Sequence, residues 1–154
     1  MKKQLLVIAM VLIAGTVFAQ SPVTKTQLNA GVGLSSWGVP VYVGLDFGVH
    51  QDITVGGELS YRSKSNEGSV FGVSANGNYH FNTILNIPSN WDFYAGLNLG
   101  YLFWSDDYKG GNSNLGLGAQ IGGRYYFNDK VGINLEFGGG NAFSGGKLGV
   151  TFRL

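Results

Sequence analysis

Eight ionisable residues, Asp46, Glu58, Arg62, Asp92, Arg124, Glu136, Lys147 and Arg153, fall on the polar half of stretches in which apolar and polar residues alternate. If those polar halves share one interior, the charges leave water together and must pair with one another or with trapped water. The chemistry on offer is a salt-bridge network that orders and plugs an interior. An exchange of partners within it would make a gate for small solutes. One pair follows from register: if Phe127 faces Val131 across the Asn128–Lys130 turn, Arg124 lies diagonal to Glu136, within reach of long side chains.

Other chemistry is poorly supplied. The chain has two histidines, His50 and His80, and no cysteine. Two histidines without a third ligand make a poor metal site, and no cofactor is expected. The run Gly138–Lys147, GGGNAFSGGK, fails as a phosphate loop. Asn141 stands where the first glycine is required, and Leu148 replaces the Ser or Thr. No catalytic residue is assigned.

The elements that must position these residues are strands. From Trp91 to Phe103, Trp91, Phe93, Ala95, Leu97, Leu99, Tyr101 and Phe103 alternate with Asp92, Tyr94, Gly96, Asn98 and Gly100. Such period-two alternation gives a strand with two unlike faces. Leu102 alone breaks the polar face. The same pattern recurs over Gln27–Ser35, Val39–Val49, Ile53–Arg62, Val70–Phe81, Leu115–Phe127, Val131–Phe137 and Lys147–Leu154, and no stretch after residue 19 has a helical period. Eight strands joined in order make an antiparallel up-and-down meander, and closing it into a barrel removes the sheet edges.

The N-terminus decides the compartment. Lys2 and Lys3 precede an apolar run from Leu5 to Phe18, with small residues before a cut ahead of Gln20. This is expected to be a secretory signal peptide over 1–19, leaving 20–154 as one domain. Its removal takes two lysines from a net charge of +1 and leaves about −1. Such a near-neutral domain has no electrostatic reason to bind nucleic acid. Only 12% of the chain is charged, against ~25% in soluble proteins.

Two features assign the apolar side to lipid. The polar side is mostly Gly, Asn, Ser and Thr, which suits a narrow lumen that eight strands leave just wide enough for side chains. Rings also sort towards strand ends, as they do at lipid–water interfaces. With the N-terminus in the periplasm, Tyr79, Phe81, Trp91, Phe93, Tyr125 and Phe127 form a periplasmic girdle. Tyr61, Phe71, Tyr101, Phe103 and Phe137 form an outer one. The linkers 63–69 and 104–114 are then outer loops. They hold Lys64, Glu67, Asp106, Asp107, Tyr108 and Lys109, in no spacing that defines a ligand, so any partner of these loops is left unidentified.

The signal peptide, the eight alternating strands and the terminal Leu148–Leu154 strand together resemble the small bacterial outer-membrane barrels of the OmpA/OmpX type. That resemblance implies an all-β transmembrane barrel in the outer membrane, with lipid around it and a structural, surface-binding or small-channel role. An outer-leaflet lipid-modifying enzyme is the last-ranked alternative, since it needs a nucleophile or base at the outer leaflet and the expected topology puts both His50 and His80 at the periplasmic end. It also implies recognition of strand 148–154 by the barrel-assembly machinery. Members usually end on an aromatic residue, whereas here Phe152 is third from last and Leu154 is terminal.

Overall fold

The computed structural model describes residues 25–35, 38–64, 68–105, 114–140 and 145–154. The expected signal peptide at 1–19 lies outside them, as do Glu67 and Asp106–Lys109. Eight antiparallel strands close on themselves in sequence order. They are β1 Gln27–Leu34, β2 Val41–His50, β3 Ile53–Lys64, β4 Gly68–His80, β5 Trp91–Trp104, β6 Asn114–Tyr126, β7 Val131–Gly140 and β8 Gly145–Arg153. β8 pairs with β7 on one side and β1 on the other, with Gln27 opposite Arg153, and so closes the barrel. Among the described residues no helix is long and apolar enough to cross a membrane; the strands do the crossing.

Alternation sets the two faces of the wall. Tyr42, Asp46, Asn78, Tyr94, Asn98, Gln120, Arg124, Asn134 and Thr151 are buried inside, while Val43, Leu45, Leu59, Leu97, Leu99, Leu117, Ile121 and Val150 are exposed outside. Leu97 is 70% exposed whereas its neighbour Asn98 is 6% exposed. A soluble protein would reverse that order, so the apolar wall is a surface made for lipid. Leu102 and Val70, diagonal neighbours across β4 and β5, are both buried in the lumen, which accounts for the break in the polar face.

Several strands run further than alternation alone predicts. Ser63 pairs with Ser69 and Lys64 with Gly68, inside the expected linker 63–69. Gly138–Gly140 and Gly145–Gly146 likewise lengthen β7 and β8 beyond the expected Val131–Phe137 and Lys147–Leu154. Where a strand clears the bilayer both of its faces are wet, so the ladder continues without an alternating pattern. β2 starts later than expected, at Val41, because Pro40 has no N–H to contribute to the ladder.

The ends of the barrel differ. At the end that carries the chain termini, the Asn128 side chain accepts from the Lys130 and Val131 backbone N–H groups at 2.9 Å, an Asx turn closing β6 to β7. The long 81–90 connection there folds across the mouth. Thr83 bonds Asp52, the Tyr126 N–H donates to the Asn90 carbonyl (2.7 Å), and Arg153 donates to the Ser89 carbonyl (3.3 Å). Its length serves to bridge from the β2–β3 turn to the ends of β6 and β8.

Candidate functional site: the charged lumen

The buried charges form two tiers. In the tier nearer the termini, Arg124 on β6 is 2% exposed and ties two carboxylates together. Its Nη2 donates to Asp46 Oδ2 at 2.7 Å and its Nη1 to Asp92 Oδ2 at 3.0 Å. Asp92 is placed by the ladder, directly opposite Arg124. Asp46 comes from β2, across the lumen, and is also held by Asn29 and Asn76, each at 2.9 Å. His80 Nδ1 donates to Asp92 Oδ1 at 2.6 Å, and His80 Nε2 lies 2.9 Å from Thr54 Oγ1. With neutral imidazole, the threonine hydroxyl is the donor to Nε2. This chain has the residue types of a hydrolase triad, but Thr54 and His80 are 0% exposed and no substrate reaches them. His50 stays apart at the end of β2, where Nδ1 accepts from the Asp52 N–H.

The second tier is built on Lys147 of β8. Its Nζ lies 2.8 Å from Glu58 Oε1 and 2.9 Å from Glu136 Oε1. Glu136 faces Lys147 across the β7–β8 ladder, while Glu58 reaches over from β3. The Tyr42 ring stands 5.3 Å from Nζ, and its hydroxyl accepts from Asn134. Tyr94 joins the tiers: its hydroxyl donates to Glu136 Oε2 at 2.8 Å, while its ring lies 4.3 Å from the Arg124 guanidinium. In each tier one cation is shared by two carboxylates.

The expected Arg124–Glu136 contact gives way to this arrangement. The register is the one that argument required, with Arg124 opposite Asn134. Asp92, directly across on the other neighbouring strand, is closer than a diagonal partner, and Arg124 turns to it and to Asp46. Lys147 takes Glu136 instead. Arg62 and Arg153 stand towards the mouths: Arg62 Nη1 donates to Ser35 Oγ (3.2 Å), and the Arg153 guanidinium lies 3.4 Å from the Tyr126 ring. Sequence alone did not reveal the tyrosines as members of the network. Their inward positions in the alternation were the available signal.

Two voids, of about 40 and 20 Å³, adjoin the Lys147 tier. The larger opens towards Ser35 and Arg62, the smaller towards Asp46 and Arg124, and Tyr42, Glu58, Glu136 and Lys147 line both. The tier is thus a septum between them. Glycines make room for the rings that build it. A Cβ on Gly122 would collide with the Tyr94 ring. Gly122→Ala is therefore expected to push Tyr94 off Glu136 and to destabilise the barrel by ~1–3 kcal/mol, the range for overpacking. Urea unfolding in lipid vesicles measures it, and an unchanged midpoint would contradict this packing.

On the outer wall the rings fall into contacting groups. Near the termini Trp91 stacks on Phe93 (5.5 Å) and meets Tyr125 (4.7 Å), which meets Phe127, while Tyr79 meets Phe81. Near the loops Phe103 meets both Phe71 (6.2 Å) and Tyr101 (4.8 Å), and Tyr61 pairs in register with Phe71. Phe137 departs from the expected outer group. It stands opposite Ile121 and lines a hollow with Trp91 and Phe93 of the group near the termini.

No protein-family model matches the sequence, and no curated protein matches it. Solved structures match in fold. The N-terminal β-barrel domain of Pseudomonas aeruginosa OprF aligns over 85% of this chain and 98% of its own, at 13% identity and a TM-score of 0.64. The Yersinia pestis outer membrane protein Ail aligns over 85% of this chain and 99% of its own, at 14% identity and a TM-score of 0.56. A de novo designed transmembrane β-barrel aligns over 89% of this chain and 100% of its own, at 14% identity and a TM-score of 0.67. A closed eight-strand meander, an apolar outer wall and these matches agree: the chain has the fold of the small eight-stranded transmembrane β-barrels.

Proposed function

We propose that this protein is a bacterial outer-membrane barrel with a structural or surface-interaction role and a lumen closed by its own charges. The observation that carries this reading is the Lys147 septum: a buried ammonium held by two carboxylates, with only small voids beside it. The residues of the plug are Asp46, Glu58, Asp92, Arg124, Glu136 and Lys147, with Arg62 and Arg153 at the mouths. The termini and the short turns face the periplasm, and the two ring groups mark the lipid–water boundaries. Strand 148–154, with Phe152 on the outer face, is the segment offered to the barrel-assembly machinery. The role is not catalytic, since the Thr54–His80–Asp92 chain is sealed in the wall.

A second reading, a small gated channel, is favoured by the voids on either side of the septum. Planar-bilayer recording separates the two. The plugged barrel holds no steady conductance, whereas steady current through the wild-type protein would favour the channel.

A further inference from the structure

The outer wall carries a hollow of about 700 Å³ over β5, β6 and β7. Its floor is Gly122–Gly123 and its sides include Trp91, Phe93, Tyr125, Ile133 and Leu135. Gly123 is the cause. It holds an outward position between Ile121 and Tyr125, where its flanking positions in β6 carry large side chains, and it pairs with Phe93 on one side and Leu135 on the other. The missing side chain leaves a depression that the Phe93 ring partly overhangs, 3.0 Å from where a Cβ would stand. Backbone polar groups on the floor belong to ladders on both sides, so the floor offers hydrocarbon contact and no free backbone hydrogen-bonding groups. Its size lies within the ~300–1,000 Å³ range of small-molecule sites.

We propose that this hollow seats an acyl chain of one phospholipid, drawn from the leaflet at the terminal end of the barrel. The inference rests on the reading that the wall faces a bilayer. The hollow is continuous with that lipid-facing wall, so acyl chains are what surrounds it. Trp91 and Tyr125, in contact at the terminal-end ring group, give its rim the amphipathic rings that favour the level of the lipid glycerol esters. A second copy of the chain would need a broad contact, ~1,600 Å² in a standard interface, whereas this feature is a local slot.

The test uses the mature chain reconstituted into vesicles of equal parts palmitoyl-oleoyl phosphatidylethanolamine and phosphatidylglycerol, extracted into mild detergent and examined by native mass spectrometry. The expected result is a monomer retaining one phospholipid. Leu135→Trp, which fills the slot, should lower the retained fraction several-fold, and Leu59→Trp, on the outer face of β3, should leave it unchanged. Ile133→Trp fills the same slot from the preceding outward position of β7 and replaces Leu135→Trp if that variant does not fold. Absence of retained lipid, or equal retention in the filled variant, overturns the proposal. A dimer abolished by the filling substitution overturns it too and assigns the slot to a second copy. Failure of the wild-type chain to enter the vesicles at all, read by unboiled gel migration before extraction, would instead sink the transmembrane reading beneath it.

Discussion

Arg124→Leu is expected to lower the unfolding free energy of the barrel by ~3–5 kcal/mol, the range for removing one partner of a buried ion pair. The guanidinium answers both Asp46 and Asp92, which are 3% and 1% exposed. Taking it away leaves two carboxylates in a wall surrounded by hydrocarbon. Asp46 keeps its bonds from Asn29 and Asn76, and Asp92 keeps His80, so the loss is softened but not removed. The stacked Tyr94 ring also loses its cation. Adding Asp46→Asn and Asp92→Asn to the same variant should restore most of the stability, because no uncompensated charge then remains. Urea unfolding in lipid vesicles reads both variants. A loss below ~1 kcal/mol for Arg124→Leu, the value of a solvated surface pair, would show the tier to be wet.

Lys147→Met is expected to breach the septum. Methionine keeps an apolar stem near Tyr42 but leaves Glu58 and Glu136 facing each other without the ammonium that both now contact. Their repulsion drives the pair apart and joins the two voids, and the lumen gains a carboxylate ring that attracts cations. The Arg124 tier still closes the terminal half, so brief openings are expected rather than a permanent pore. Their frequency in a planar bilayer should rise on the order of tenfold, the change that ~1.4 kcal/mol of lost closed-state stabilisation gives. The openings should prefer potassium over chloride. Conductance unchanged from wild type, with stability also unchanged, would remove Lys147 from any sealing role.

The sequence makes the wall legible because burial in lipid imposes period two on every strand. That single constraint assigns Leu97 outward and Asn98 inward. The same constraint lapses above the bilayer, and there Ser63–Lys64 and Gly138–Gly140 join strands without any alternating signal. Register was readable at the Asn128–Lys130 turn, which is short enough to leave one pairing of β6 with β7. Partner choice inside the lumen was not. Arg124 finds Asp46 four strands away, and Lys147 finds Glu58 across the barrel, because the stagger of the strands brings distant positions to one level. Sequence spacing carries no record of that stagger. Phe137 shows the same limit on the outside: it ends the strand that alternation predicts, yet β7 runs on to Gly140 and leaves Phe137 within the strand, opposite Ile121.

The central claim is that lipid is the solvent of the outer wall. The most direct measurement dilutes a chain of residues 20–154 from urea into buffer with and without phospholipid vesicles, then compares boiled and unboiled gel migration. With vesicles, a compact band is expected that unfolds only on boiling and whose strands resist protease. Without lipid, the chain should give no such band and should aggregate. A folded, monomeric barrel formed in buffer alone would contradict the account.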